Sequence, residues 1–554
     1  MEKWFVTNKH ADFEGIAARF GIDPVTARVI RNRDVIGYEA IHEFLKGGTE
    51  CFHDPMRMKG MDKAAGIVKE KIAEGKKIRI MGDYDIDGIM SSYILKRGFA
   101  ELGADADIRI PDRITDGYGM SERMIREAHE DGVDTIVTCD NGISAGKEIA
   151  LAKSLGMTAV VTDHHEVLHF PEEADAVVDP KQEGETYPYT ELCGAGVAWK
   201  LILALGGDPE MKLLQFVAFA TIGDVVALTG ENRVMVKEGL RRLHHTDNPG
   251  MLALSGISGV DINSVGSFQV GFVLGPCFNA SGRLDTAMLG LDLLFAENEE
   301  QAGIIARKLS DLNDSRKRMT EEGVAEASAM VEQEKAGGEK VYVIFLPDIH
   351  ESVAGIIAGR IREKYHHPTI VLTRTEKGLK GSGRSTENYN MFEELSKVEP
   401  LMTKFGGHPM AAGLSLEEEK LEEFRKELNE KCALGKDDFY EKVKVDMVLP
   451  LSKVTSKLTD ELRHLEPFGT ANPRPLFAAK DVHIRNPRVL GAKRNVFRGI
   501  AYFPDGRRLD VISFTNVEEL ARKAAAGSVM ITYYPDFNEF MGRKNLQAVI
   551  THFH

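Results

Sequence analysis

Lys77-Ile78-Arg79-Ile80-Met81-Gly82-Asp83-Tyr84-Asp85-Ile86-Asp87-Gly88 runs from a β-rich stretch straight into three carboxylates at alternate positions. The theme returns twice. Thr135-Ile136-Val137-Thr138 leads through Cys139 into Asp140-Asn141-Gly142, and Thr158-Ala159-Val160-Val161-Thr162 leads into Asp163-His164-His165. Helical patterns at Ser91 to Gly103 and Ala145 to Gly156 follow the first two clusters, each closing on a glycine suited to a helix C-terminus. Strands alternating with helices predict a mainly parallel α/β sheet. Each cluster then stands at the carboxyl end of its own strand, the edge where such sheets bind ligands.

Asp83, Asp85 and Asp87 repel one another and are easiest to hold around a hard cation, which prefers oxygen ligands. A solvated, Asp-rich turn is the competing reading of that segment taken alone. A calcium EF-hand does not fit. Counting Asp83 as position 1 puts Ile94 at position 12, where a bidentate Glu is required, and no helical pattern leads into Asp83. A lone His-His pair is more often structural, but three clusters on successive strand ends would converge. Asp224 adds a fourth element within the apolar run Phe216 to Val226, where an unpaired carboxylate is costly and calls for a cation, a cap or an ion pair. Oxygen ligands with imidazole suit two Mn²⁺ or Mg²⁺ ions better than one zinc. Two-metal sites favour phosphoryl chemistry, and no Walker A or dinucleotide-binding loop competes.

A chain of 554 residues is too long for one core. The expected divisions are an N-terminal helical segment (1–50), the cluster-bearing α/β domain (51–296), a proline-free connecting helix (297–336), a second α/β domain (337–435) and a β-rich tail (446–554). The net charge of −15 by itself opposes a polyanionic partner, yet the tail has sixteen Lys and Arg against eleven Asp and Glu, a local charge of +5. Five scattered cysteines, with no C-x-x-C pair, argue against disulfides or a thiolate zinc site and suit a reducing cytoplasm. The N-terminus lacks a secretory pattern. Leu213 to Leu228, the most apolar run, is too short and interrupted to span a bilayer, so no membrane association is expected.

Asp83-Tyr84-Asp85-Ile86-Asp87-Gly88, Asp140-Asn141-Gly142, Asp163-His164-His165 and Gly223-Asp224 resemble the four successive motifs of the DHH phosphoesterase superfamily. The resemblance implies that Asp85, Asp87, Asp140, His164 and Asp224 ligate metal, His165 contacts the scissile phosphate, and Asp163 supports the His pair, with Asp83 beside them. Phe52-His53-Asp54-Pro55, Asp116-Gly117-Tyr118-Gly119 after Arg113, and Asn279-Ala280-Ser281-Gly282-Arg283-Leu284 are similar to the RecJ exonuclease branch. Gly381-Ser382-Gly383-Arg384-Ser385 and Gly406-Gly407-His408-Pro409 resemble the DHH-associated second lobe, and Glu466-Pro467-Phe468-Gly469 the entrance of an OB-type β-barrel. Substrate contacts implied this way are Arg113, Tyr118, Asn279, Arg283, Ser382, Arg384, Gly407 and His408. Stacking and cationic candidates in the tail include Phe497, Tyr502, Arg494, Arg498, Arg507 and Arg508, although a strand aromatic is first a core residue. The chain departs from the family at Cys277, where many members carry Arg, and at Ile349-His350-Glu351-Ser352.

The fold expected is thus a parallel-sheet catalytic lobe, a long connecting helix, a second α/β lobe and a C-terminal OB-type barrel. The activity implied is 5′→3′ exonucleolytic hydrolysis of single-stranded DNA in repair and recombination, with two Mn²⁺ or Mg²⁺ ions and with a helicase and a single-strand-binding protein as partners. A phosphodiesterase for short oligonucleotides or cyclic dinucleotides shares the motifs, and a catalytically silent DNA-binding or scaffold relative is the rival of another class. A pyrophosphatase fits the second lobe and basic tail less well.

Overall fold

The β-branched runs become strands buried on both faces, as central strands of a parallel sheet must be. The computed structural model describes residues 2–113, 115–117, 119–334, 338–503, 505–540 and 543–554. In the first lobe β1 (Ile78–Met81), β2 (Ala106–Arg109), β3 (Thr135–Thr138), β4 (Thr158–Thr162) and β5 (Ala176–Val178) pair in the order β2-β1-β3-β4-β5, all parallel. β2 and β3 flank β1 on opposite sides, so the order reverses there and opens a crevice beyond its carboxyl end. The clusters after β1 and β3 face that crevice.

Helices Ile86–Glu101, Gly194–Leu205 and Leu214–Gly223 cover the sheet, with Phe99, Trp199, Phe219 and Phe278 fully buried among them. The first of these begins earlier than the expected Ser91 because Asp85 caps it, accepting from the N–H groups of Asp87 and Gly88 at 3.0 and 3.2 Å. Deep in the same lobe, the side chains of Lys200 and Glu231 pair at 2.5 Å with no solvent exposure. Glu231 also accepts from Tyr187 Oη and the His53 N–H, and Lys200 donates to the His53 carbonyl, so both charged groups are held by further hydrogen bonds.

The helix Glu299–Glu334 has 36 residues, a length of about 54 Å. Ala306 and Leu309 pack into the first lobe's core with Ile305 against it, while Ala327 and Val331 join Ile344 and Ile357 in the second. That lobe carries β6 (Tyr342–Phe345), β7 (Thr369–Thr375), β8 (Gly378–Arg384), β9 (Lys404–His408) and β10 (Ala411–Leu416), ordered β9-β10-β8-β7-β6 with only β6 and β7 parallel. The tail forms a seven-stranded mixed sheet from Met447 to Phe553 with a helix at Val517–Ala526 on its edge, which the sequence reading missed.

The N-terminal segment opens with a strand, Glu2–Val6, paired in parallel with Glu441–Val445. Its three helices, Phe13–Phe20, Pro24–Asn32 and Tyr38–Lys46, share the tail's core through Ile30, Ile41 and Phe44. A buried Arg33–Asp446 pair at 2.6 Å links the two. Among the described residues no helix is long and apolar enough to cross a membrane.

Removing one member of a buried ion pair leaves the other charge uncompensated, at a cost of about 3–5 kcal/mol. Glu231→Ala should therefore destabilise the chain by that amount in urea unfolding. A loss below about 1 kcal/mol would contradict the assigned role of the pair.

Candidate metal centre

Asp83, Asp87, Asp140, Asp163 and His164 are all buried at the carboxyl edge of the first sheet. Three sets of donor atoms lie within 4.8 Å of one another: Asp83 with Asp85 and Asp140, Asp87 with His164 and Asp224, and Asp140 with His164 and His165. His164 Nε2 stands 3.1 Å from Asp140 Oδ1, 3.5 Å from Asp87 Oδ2 and 3.8 Å from Asp224 Oδ2. Every strand-end cluster meets the others.

Local backbone holds this crowd in place. Asp87 receives the N–H groups of Gly194 and Ala195 at 2.6 and 2.8 Å, the opening turn of helix Gly194–Leu205, whose dipole favours a carboxylate. Asn279 Oδ1 accepts from the Ile86 N–H at 2.9 Å, so this residue braces the Asp85 turn. Asp140 has φ 61, a left-handed conformation that Asp tolerates better than most residues. Gly194 is required for packing, because a Cβ there would lie 2.6 Å from Asp140 Cβ. Asp224 differs from its expected place inside a helix. Leu214–Gly223 ends one residue before it, and Val225 turns away with φ 64, so Asp224 caps the C-terminus and its side chain is 26% exposed toward the cluster.

Electrostatics reflects the crowding. Burial, then repulsion by Asp85, pushes Asp87 up to about 6 and Asp83 well above the carboxylate range, the latter only partly offset by the Tyr84 and Gly119 backbone. Burial and the neighbouring carboxylates raise Asp224 to about 8 and Asp140 strongly. Burial and then His165 lower His164 to about 3, leaving a neutral imidazole whose ring also bonds the Leu192 backbone. His165 is the opposite case. Burial pulls it down, but its 2.7 Å bond to Asp163 holds it up to about 9. Asp163 stays ionised despite burial, since His165 and the Ile143 N–H both bind it.

Neither oxygen of Asp83 has a well-formed hydrogen bond among the described residues. Buried oxygens with no well-formed hydrogen bond, four carboxylates raised by burial and mutual repulsion, and a neutral imidazole are what a divalent cation would satisfy. The donor set fits Mn²⁺ or Mg²⁺.

Beside the cluster, Arg113 lies over the Tyr84 ring at 4.8 Å, Arg283 donates to the Ser352 carbonyl, and in the second lobe Arg384 donates to Ser382 Oγ at 3.0 Å. The fields of these guanidiniums overlap. After burial itself, Arg113 is the largest influence lowering Arg283, to about 10, and it also lowers Arg384. His408 of the second lobe shares a cavity of about 530 Å³ with Asn141, His165 and Lys181, and Gly407 precedes it on the same strand. Tyr118 lies outside the described residues.

Sequence reasoning missed three features. Asp179 is fully buried at the end of β5, and burial raises it to about 7; its position after Val178 repeats the strand-end rule and was readable. Lys181 lines the His165 cavity. Phe268 and Phe272 are 63% and 69% exposed, stacked at 5.0 Å on a turn that includes a π-helical stretch, Val270–Leu274. In the tail, by contrast, Phe497 is fully buried core, while Arg494, Arg498 and Arg507 pair with Glu518, Asp510 and Asp505.

Residues 77–221 match the model of the DHH family N-terminal domain, 338–434 the DHHA1 domain and 445–552 the RecJ OB domain. The fold and site define a metal-dependent phosphoesterase of the DHH class. The chain is 36% identical over 554 residues to the single-stranded-DNA-specific exonuclease RecJ of Bacillus subtilis (strain 168), covering 99% of this chain and 70% of that protein. It is 33% identical to the RecJ of Escherichia coli (strain K12), covering 96% and 95%. The crystal structure of RecJ in complex with Mn²⁺ from Thermus thermophilus superposes with a TM-score of 0.85 at 27% identity, covering all of this chain and 79% of that one. Within the DHH class, this chain belongs to the RecJ exonuclease family.

Because Gly194 abuts Asp140, Gly194→Ala should displace that carboxylate and lower Mn²⁺ affinity by about 10- to 100-fold, as loss of outer-shell support does. Calorimetric titration with Mn²⁺ measures it, and unchanged affinity would show that this packing does not set the donor geometry.

Proposed function

We propose that the chain degrades single-stranded DNA from its 5′ end, releasing nucleoside 5′-monophosphates. The observation that carries this reading is the meeting of the Asp85, Asp87, Asp140, His164 and Asp224 side chains with the guanidiniums of Arg113, Arg283 and Arg384 in the same neighbourhood. The five residues would hold two Mn²⁺ or Mg²⁺ ions, which when bound activate water and neutralise charge on the phosphodiester.

The chain's own groups supply the rest. His165, held protonated by Asp163, donates to a phosphate oxygen and stabilises the charge that builds there during in-line attack. Asp163 fixes the ring. Asp83, whose carboxylate lies close to those of Asp85 and Asp140, would share the cation's field with them. Arg113, Arg283, Ser382, Arg384, Gly407 and His408 grip a terminal phosphate, which gives the reaction its polarity. Asn279 braces the turn that carries Asp85 through its carbonyl oxygen, which leaves its amide NH2 to reach substrate.

The path of the strand is supported by a second cavity, of about 800 Å³, between the first lobe and the tail. Val225 lines it one residue from Asp224, together with Phe268, Phe272, Arg463 and Arg474. Exposed aromatics interleaved with arginines suit single-strand binding, because bases stack on the rings while the guanidiniums follow the phosphates. The stacked phenylalanines would carry bases toward the metal centre. A helicase that unwinds duplex and a single-strand-binding protein are the partners such an activity needs, and the cytoplasm is its setting.

The test compares 5′-labelled single-stranded DNA, duplex DNA, a dinucleotide and a cyclic dinucleotide, with Mn²⁺ and with chelator. Long single strands should be consumed, and Asp85→Ala or His164→Ala should abolish turnover in a folded protein. Hydrolysis of dinucleotides alone would overturn the assignment in favour of an oligonucleotide phosphodiesterase. Replacing Phe268 and Phe272 together by Ala should weaken single-strand binding by about 1–3 kcal/mol per lost stack, read by fluorescence anisotropy, while dinucleotide cleavage persists. Equal affinity would remove them from the path.

A further inference from the structure

Far along the chain from the catalytic clusters, imidazoles and carboxylates converge a second time, where the N-terminal strand, the second lobe and the tail meet. Glu2 and Glu441 are direct partners in the parallel pair Glu2–Val6 with Glu441–Val445. Like charges placed opposite each other destabilise a strand pair unless something compensates them. His552 lies within the strand Arg543–Phe553 and His554 just past it, two residues on, and the alternation of an extended chain puts their side chains on one face. His554 Nε2 is 3.1 Å from Glu2 Oε1, and His552 Nε2 is 3.4 Å from Glu441 Oε1. His366, held at φ 58 where the helix Glu351–Tyr365 ends, brings its Nε2 to 3.8 Å from Glu441 Oε2.

These separations suit donors that share an ion. Ligands about 2.0–2.1 Å from a tetrahedral centre stand about 3.3 Å apart. Donor atoms of Glu2, Glu441 and His552 all lie within 4.8 Å of one another. The 3.4 and 3.8 Å approaches are too long for good hydrogen bonds between the imidazoles and Glu441. The outer contacts resemble those that orient ligands elsewhere. His552 Nδ1 contacts Thr532 Oγ1 at 2.9 Å and Thr551 Oγ1 at 3.1 Å, which aims Nε2 at Glu441. Trp4 Nε1 donates to Glu2 Oε1 at 3.2 Å, and the Trp4 ring lies 4.7 Å from that of His554. The side chains of Glu2, Glu441, His366, His552 and His554 are all partly exposed, so an ion has a route in.

We propose that Glu2, Glu441, His552 and His554, with His366 alongside, form a transition-metal site of the zinc class, separate from the catalytic centre. Two imidazoles with two carboxylates favour Zn²⁺ or Co²⁺ over the Mg²⁺ that an all-oxygen set selects. The ion relieves the repulsion between Glu2 and Glu441 and ties the last strand of the tail to the N-terminal strand. Its role is structural, since no donor of the catalytic cluster takes part.

The experiment measures Zn²⁺ bound at micromolar free metal, by equilibrium dialysis of the full chain and of the Glu441→Gln and His552→Gln/His554→Gln variants. Wild type should hold one more Zn²⁺ per chain than either variant, and should alone show the intense visible absorption of four-coordinate Co²⁺ assignable to this site. Zn²⁺ should also raise the melting temperature of catalytically inactive Asp85→Ala protein, and not that of the same protein carrying Glu441→Gln. Mn²⁺-dependent turnover should be unchanged in both junction variants. Equal Zn²⁺ stoichiometry in all three proteins would overturn the proposal and leave the cluster as imidazole–carboxylate pairing alone.

Discussion

The mutual repulsion of carboxylates withdrawn from water is the constraint around which the first lobe is organised. Asp83 and Asp87 are fully buried and Asp140 nearly so, and they share a small volume with Asp85 and Asp224. An isolated buried carboxylate costs several kcal/mol unless it is paired or neutralised. The fold offsets part of this with backbone donors: the capped turn at Asp85, the helix N-terminus that grips Asp87, and the Ile143 N–H on Asp163. The remainder is left for a cation. A parallel sheet whose order reverses beside β1 brings those donors to one edge, and the rigid core of Trp199, Phe219 and Phe278 keeps the carboxylates from spreading apart.

Positive charge drawn from both lobes gathers beside that negative edge. Arg283 comes from the first lobe and Arg384 from the second, and Arg113 lies close enough to influence both. A phosphodiester at this edge would meet the carboxylate cluster and the guanidiniums together. The chain's net charge of −15 therefore says little about its partner. Local fields decide recognition, and the linker helix fixes their spacing by packing into both lobes.

Much of the site was legible because each acidic cluster follows a β-rich run, so a one-dimensional pattern carried three-dimensional information. Asp179 obeys the same rule after β5 and escaped notice because it stands alone, without a second carboxylate or histidine beside it. Asp224 was found by its polarity, yet its place at a helix end depends on Val225 adopting a left-handed turn, which no apolar pattern announces. Asn279 was read as a substrate contact, and its carbonyl oxygen in addition binds the Ile86 N–H across the lobe, a long-range pairing that no local pattern announces. Phe497 and Phe268 are alike in sequence terms. Only packing puts the first in the core and the second on the surface. The parallel pairing of Glu2–Val6 with Glu441–Val445 is likewise a product of tertiary assembly.

The most direct measurement is an anomalous-scattering map of crystals grown with Mn²⁺. The account predicts two peaks at the carboxyl edge of the first sheet, within bonding distance of Asp85, Asp87, Asp140, His164 and Asp224. A map with no Mn²⁺ at that edge, or with ions bound there by other residues, would contradict it.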